Sequence, residues 1–436
     1  MRVLLIVYDN GNLIHYFPIG TAYIASALIR DGHDVCIYNQ DVAHSPESLL
    51  TTHLNQYYYD VVGLGFVGNY YTYKKAQRIA EAIHKSVARP HFILGGHGPS
   101  ADPVYFRNKL GADSVVVGEG ELSVTGAVNH KGIFSSPLIK DIDSIPQPAY
   151  SLFPMEYYRL RQLPHSTAAD FSMPVLTSRG CIYKCNFCYR MDEGFRIRAV
   201  GSVVEEVGYL IRHYGITYID FADELTTVTD KRTAELCEAL LPLKIKWMCN
   251  GRLDRVSPKV LALMKRSGCQ FINYGIEAMD DEVLKTMNKK LTVDQIYKGI
   301  EATLAAGISP GFNIIFGHIG DTKETLQKGM EFILKHDDGA QRRTMLPVTP
   351  YPGSELFKEA IRRGLLKDTE DFYKKHKNAD LLTVNFTDLT DEEFHIALLE
   401  ANTALLQNHY RIQLEQAVNQ AKDLYINRNA SFRGFR

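Results

Sequence analysis

Three cysteines fall within eight residues of the stretch "TSRGCIYKCNFCYR", at Cys181, Cys185 and Cys188. The chain has seven cysteines, an odd number, so a disulfide framework explains neither the count nor the clustering. Thiolates favour zinc or iron–sulfur clusters. A closed zinc site or a closed cubane takes four ligands. Three ligands leave one metal position open, as catalytic sites do, and an open iron can bind a substrate or cofactor directly. The competing explanation is a structural zinc whose fourth ligand, such as Cys249 or Cys269, comes from elsewhere in the chain. Zinc sites usually use pairs with two residues between cysteines, whereas this run opens with three. The spacing favours the open cluster. Cys36, Cys237, Cys249 and Cys269 are otherwise scattered over expected strands and helices and read as buried structural thiols.

The elements that must position this loop form an alternating pattern from Pro174 to about Val348. Its strand candidates are "PVLTS", "ITYIDFAD", "IKWMCN", "QFINYGIE", "SPGFNIIFG" and "QRRTMLPV", with helical periodicity between them. Repeated βα units of this kind predict a partial barrel of about six strands, open on one side. The cysteines follow its first strand, on the carboxyl-end face where barrel active sites are built.

An earlier alternating region, residues 1–129, predicts a Rossmann-like doubly wound parallel sheet. Its strands are "VLLIVYD", "DVCIYN", "DVVGLGF", "HFILGG" and "SVVVG". Ligands of such sheets sit beyond the carboxyl ends of the strands. Those ends carry Gly63 and Gly65, then Gly95, Gly96 and His97, then Gly118 and Gly120. Three glycine-bearing loops on one edge suit a sizeable flat or phosphate-bearing ligand, although glycines also end strands for steric reasons alone. Residues 130–173, rich in proline, read as an extended linker between the domains. The barrel occupies residues 174–350, and residues 351–436 read as mostly helical, with a basic end, "NRNASFRGFR", that should fray. The tyrosine-rich stretches "QYYYD" and "GNYYTYKK" suit a sheet edge or an interdomain surface.

Bulk properties narrow the function classes. A length of 436 residues predicts at least two domains. A net charge of -1 gives no reason to expect nucleic acid or anionic membrane as the main partner. No apolar run reaches the length of a membrane span or a signal peptide, so the expectation is a cytoplasmic protein whose thiols stay reduced.

CxxxCxxC after the first strand of a partial barrel resembles the radical S-adenosylmethionine (SAM) superfamily, with Cys181, Cys185 and Cys188 at its cysteine positions. The resemblance implies a [4Fe–4S] cluster whose open iron is chelated by SAM. Reductive cleavage of SAM would then release the 5′-deoxyadenosyl radical, with the electron coming from an external donor such as flavodoxin or ferredoxin. By the same resemblance Phe187 lies against the adenine, and Asp223 or Glu224 of "DFADELTT" contacts the methionine amino group. Asn250 and Arg252 of "CNGRLD" lie near the cofactor, Glu277 of "NYGIEAMD" bonds the ribose hydroxyls, and backbone around Ile315 to Gly317 cradles the adenine. The front domain resembles that of the cobalamin-binding class, on "PIGTAYIASALIRDGHDV", "DVVGLGF", "LGGHGPS" and "VVVGEGE". It departs from the DxHxxG pattern of other cobalamin proteins in its first loop, "YDNGNLIHYF", which leaves His15 and His97 as alternative cobalt ligands or simple loop histidines.

The resemblance implies a methyltransferase that places a methyl group from cobalamin on an unactivated carbon of a small-molecule, lipid or peptide substrate. A cyclisation, rearrangement or oxidation on the same architecture is the alternative. A non-catalytic cobalamin- or metal-binding module is a third.

Overall fold

A computed structural model of the chain describes residues 1–11, 16–191 and 194–431. His15 and the last five residues of the basic tail lie outside them. The front sheet contains β1 (Arg2–Val7), β2 (Asp34–Asn39), β3 (Val61–Gly65), β4 (His91–Gly95), β5 (Ser114–Val117) and β6 (Gly132–Ser135). All pairings are parallel, in the order β2-β1-β3-β4-β5-β6. The β-branched runs "VVG" and "SVVV" are buried on both faces by the connecting helices, which is what a parallel sheet requires. The order reverses direction between β1 and β3, so the carboxyl ends of these two strands form the crevice in which such sheets hold ligands.

The sixth strand is a departure from the sequence expectation, which gave this sheet five. Gly132–Ser135 pairs in register with all of β5, so the sheet runs on into the stretch read as linker. Four residues with alternating partial exposure carry too little pattern to be recognised alone. The rest of that stretch is not loosely attached. Tyr150, Phe153, Met155 and Tyr158 are buried in the barrel's outer core, and Phe17 from the front domain packs among them.

The second sheet is a curled half-barrel of six parallel strands: β7 (Ser172–Val175), β10 (Tyr218–Phe221), β11 (Lys246–Gly251), β12 (Cys269–Glu277), β13 (Ser309–Phe316) and β14 (Leu346–Pro347). Between β7 and β10 lies an antiparallel pair, β8 (Ser178–Gly180) and β9 (Phe195–Ile197), which the sequence did not suggest. Inside the barrel, Tyr218, Met248 and Phe271 meet Leu163 from the linker and plug the floor. The Tyr218 hydroxyl donates to the Pro164 carbonyl at 2.8 Å and fixes that plug.

The carboxyl-terminal segment serves both sheets. Helices Glu355–Arg362 and Thr369–Lys375 pack with the front sheet through Leu356, Phe357, Phe372 and Tyr373. Tyr373 stacks on Tyr73 of the tyrosine-rich stretch, ring centroids 3.9 Å apart. Helix Asp391–Tyr425 buries Phe394, Ala397, Leu398, Ala401 and Leu405 against the barrel, with Phe394 stacked on Phe316 at 4.7 Å. Thr390 opens that helix with a capping box to Glu393, which satisfies its first orphan amides. Among the described residues no helix is long and apolar enough to cross a membrane.

Candidate active site

The cysteine loop hangs between β8 and β9, anchored at its root by backbone geometry. Gly180 has φ +84°, and a Cβ there would lie 2.3 Å from the Gly194 carbonyl oxygen, so only glycine lets the two strands close. Its amide donates to Glu224 at 2.9 Å. Cys181 is half-buried, Cys185 buried and Cys188 exposed. The neighbouring Cys188 thiol draws the Cys185 thiol down to about 7, while Cys185 and burial push that of Cys188 up. Cys249 and Cys269 lie in the barrel's outer core, behind the sheet and packed among its helices. They do not complete a tetrahedral set with the loop.

Several side chains peg the loop in place. Asn186 donates from Nδ2 to the Thr286 carbonyl and accepts at Oδ1 from His318 Nε2, both at 2.9 Å. Its backbone bonds Met287 at 3.0 Å and Leu356 at 2.8 Å. One residue thus ties the loop to the end of β12's following helix, to the turn after β13 and to the carboxyl-terminal segment. Burial pushes the His318 imidazole down to about 4, so it is neutral at ordinary pH. Arg252 lies over the Tyr183 ring at 3.6 Å and donates to the Lys289 and Lys290 carbonyls at 2.9 and 2.7 Å and to Asp254 at 2.9 Å. Its donors are taken up by the chain, and what it positions is the cysteine loop.

The two acids after β10 are placed differently. Asp223 is 1% exposed and accepts from the Thr177 and Ser178 amides at 2.7 and 3.0 Å and from the Thr177 hydroxyl. Burial raises its carboxyl despite those donors. It ties the end of β7 to β10. Glu224 is exposed beside it and faces open space. Asn250 reaches back to the Asp223 carbonyl at 2.8 Å.

Glu277 ends β12 at φ +73°, a left-handed backbone that costs a non-glycine residue about 1–3 kcal/mol. A register shift in the β12–β13 pairing accompanies it. Its carboxylate is buried against Lys289 Nζ at 2.8 Å. Burial alone would lower the Lys289 ammonium, but Glu277 outweighs it and the net shift is upward. That ammonium also lies 5.9 Å from the Phe187 ring centroid. Gly317, at φ +96°, and His318 both donate backbone amides to Asp321 at 2.9 Å, which fixes the turn after β13 beside half-buried Ile315.

All seven front-domain positions singled out by sequence line a single cavity of about 510 Å³: Gly63, Gly65, Gly95, Gly96, His97, Gly118 and Gly120. The cavity runs along the sheet face from Val3 and Leu5 to the carboxyl ends of the strands, and its far wall is barrel: Leu176, Ser178, Arg179, Met191, Ala222 and Glu224. A Cβ on Gly65 or Gly95 would approach nothing closer than 3.9 Å, so both glycines leave open cavity rather than serving a tight turn. The elongated apolar slot and broad mouth suit a large planar ligand with a tail. His97 faces Glu224 across the mouth. Burial lowers its imidazole although Glu224 opposes the shift, and its ring meets Tyr189 edge-on at 6.1 Å.

A buried ion network joins this cavity to the cysteine loop. Arg179, two residues before Cys181, bonds Glu119 at 2.8 Å and Glu121 at 2.6 Å, and Arg196 bonds Glu119 at 2.7 Å. Burial would raise Glu119, but Arg196 and Arg179 outweigh it and hold the carboxyl below its usual range. Asn186, Lys289, Arg179 and Glu119 escaped the sequence reading. Asn186 and Arg179 lie within the quoted cysteine stretch, but their partners are distant in sequence. Their roles become visible only once the strands are in place.

Two family models match the chain: the radical SAM superfamily over residues 175–333 and a B12-binding domain over residues 14–128. The chain belongs to the cobalamin-binding radical SAM enzymes. The cofactors of this family are a [4Fe–4S] cluster, SAM and cobalamin. Among its relatives is an uncharacterized methyltransferase of Pyrococcus horikoshii, 29% identical over 400 residues that cover 84% of each chain. An anaerobic magnesium-protoporphyrin IX monomethyl ester cyclase of Rubrivivax gelatinosus is 26% identical, over 82% of this chain and 70% of that one. The radical SAM methyltransferase TsrM of Kitasatospora setae, solved with cobalamin and a [4Fe–4S] cluster, shares the fold at a TM-score of 0.67 and 17% identity, covering 83% of this chain and 78% of its own.

Proposed function

We propose that the protein is a cobalamin-dependent radical SAM methyltransferase acting on an unactivated carbon. The observation that carries this reading is the shared cavity, because the glycine loops of the front sheet and Glu224 of the barrel line the same space. Cys181, Cys185 and Cys188 would hold the cluster, whose open iron takes SAM, while cobalamin carries the methyl group that is transferred.

This chain's own part is positional. Asn186 and Arg252 fix the cysteine loop against three elements. Glu224 is the acid left open to a ligand's amino group, because Asp223 is taken up by Thr177 and Ser178. Glu277 and the backbone from Ile315 to Gly317 would meet the nucleoside, with Phe187 beside them. Asn250 supports the Asp223 turn from below. Gly63, Gly65, Gly95, Gly96, Gly118 and Gly120 would receive the tail and lower face of the corrin, with His97 at the rim. With Glu224 and Arg179 on the wall of the apolar cavity, the two sites adjoin, which would hold the reacting centres in line. The reductant would be a flavodoxin- or ferredoxin-like donor, and a reduced cysteine loop suits the cytoplasm. The proposed units are a front domain of residues 1–129, a linker 130–173 that also lends the front sheet β6 and the barrel the start of β7, the barrel 174–350 and the helical segment 351–436.

The relationship to the Rubrivivax cyclase favours one second reading, radical chemistry without methyl transfer. The experiment is anaerobic purification with cobalamin, followed by turnover with SAM labelled in its methyl group. Label in the product supports the methyltransferase. SAM cleavage with unlabelled product moves the assignment to the second reading.

A further inference from the structure

Above the apolar floor the barrel wall turns polar in an ordered way. Ile219 and Phe221 of β10 point outward into the helical core, so Asp220 between them points inward, above Tyr218 of the floor. On the next three strands Asn250, Asn273 and Asn313 form a ladder. Asn313 Nδ2 donates to Asn273 Oδ1 at 2.9 Å, and Asn273 Nδ2 donates to Asn250 Oδ1 at 3.1 Å. Asn250 Nδ2 donates to the Asp223 main-chain carbonyl at 2.8 Å.

That carbonyl can only accept, so it fixes the orientation of Asn250 and, in turn, of the other two amides. The ladder therefore ends at Asn313, which is exposed at the mouth and presents its carbonyl oxygen there. Asp220 is half-buried, and among the described residues no N–H or O–H donor bonds to it. The charged groups acting on it are Asp223, which raises its carboxyl, and Arg161, which lowers it. Burial is the larger cause, and the carboxyl is pushed up to about 6. No ion pair forms between Asp220 and Arg161. Its oxygens open onto the barrel interior and, among the described residues, no donor of the chain occupies them, so they are free to receive one from a ligand.

We propose that the barrel interior takes a substrate bearing a protonated amine, whose N–H groups Asp220 receives and whose remaining polar edge meets the carbonyl oxygen of Asn313. The acceptors the wall offers there are the Asp220 carboxylate and the Asn313 carbonyl oxygen, while the floor of Tyr218, Met248, Phe271 and Leu163 accommodates an apolar part of the same molecule. The inference rests on the proposed function only in placing substrate inside the barrel.

The test uses the full chain with its cluster reconstituted and SAM bound. The probes are phenethylamine, 2-phenylethanol and N-acetylphenethylamine, each titrated calorimetrically. The amine should bind about tenfold tighter than either neutral probe, the margin of a charge-assisted over a neutral hydrogen bond. Asp220→Asn should remove that preference, and Asn313→Ala, which leaves the acid in place, should keep it. Equal affinity for amine and alcohol, no binding of any probe, or an Asp220→Asn protein that still prefers the amine would overturn the inference. So would amine binding confined to the SAM-free protein, since the wall would then be holding the cofactor's own ammonium. Should Asp220→Asn fail to fold, the probe series on the unaltered chain and Asn313→Ala decides. Methyl transfer without amine selectivity removes only this inference, whereas amine selectivity without methyl transfer removes only the methyltransferase reading.

Discussion

The cysteine loop and the glycine-lined cavity are built on opposite principles, although they lie on either side of Arg179. The loop presents three thiols and is held by a handful of side chains, chiefly Asn186 and Arg252, whose partners lie far away in sequence. The cavity is defined by what its residues lack. Gly65 and Gly95 leave space, and the sheet behind them holds that space open. A point-ligand site should therefore fail when atoms are removed. A distributed site should fail when atoms are added.

The sharpest break of this comparison is to remove one thiol. Cys181→Ala, Cys185→Ala or Cys188→Ala should each lower SAM cleavage by more than about a hundredfold, the upper range for even an outer-shell change at a metal site. Iron quantification and SAM consumption would show it, with cobalamin binding retained. The complementary change adds bulk. Gly95→Val keeps an ordinary strand backbone, yet its branches enter the cavity. Overpacking of about 1–3 kcal/mol should weaken cobalamin binding roughly 5- to 150-fold while the cluster's absorbance persists. Loss of both cofactors together in either variant would mean that the two sites fold as one unit and the contrast is false.

A finer comparison removes a peg instead of a ligand. Asn186→Ala keeps the backbone bonds to Met287 and Leu356 but deletes those to Thr286 and His318. Iron retention during chelator challenge should fall roughly tenfold, at the low end for outer-shell changes.

The smallest effect is set by pH. His376 is buried beside Phe372 and Tyr351 in the segment covering the front sheet, and burial pushes its imidazole down to about 4. The unfolded chain, with histidine near its usual value of about 6.5, binds more protons over that interval. Stability is therefore complete above pH ~6.5 and declines as pH falls toward ~4. Between pH 6.5 and 5 the loss should be about 2 kcal/mol, and His376→Gln should reduce it. Denaturant melts at the two pH values would check this. A decline of equal size in the variant would assign it to other groups.

Much of this architecture was legible in the sequence because its signals are local. CxxxCxxC needs no partner to be recognised, and apolar runs such as "HFILGG" and "IKWMCN" carry strand length and burial within themselves. The six barrel strands followed from such runs. The β8–β9 pair did not, since "SRG" and "FRI" have no pattern of their own and exist through closure at Gly180 and Gly194. Strand β6 escaped for the same reason, being only four residues long.

The choice between Asp223 and Glu224 lay beyond the sequence as well. The two carboxylates are chemically alike and adjacent, and only the approach of Thr177 and Ser178 commits one of them. By itself the sequence determined which residue types are present and at what local spacing: the thiol triplet, the glycine-bearing strand ends and the alternation of strand and helix. The tertiary structure alone decided which of these groups meet. It brought Arg179 to Glu119, Asn186 to His318 and three asparagines into one ladder, because hydrogen bonds and ion pairs act over a few ångströms and depend on proximity in space rather than separation along the chain.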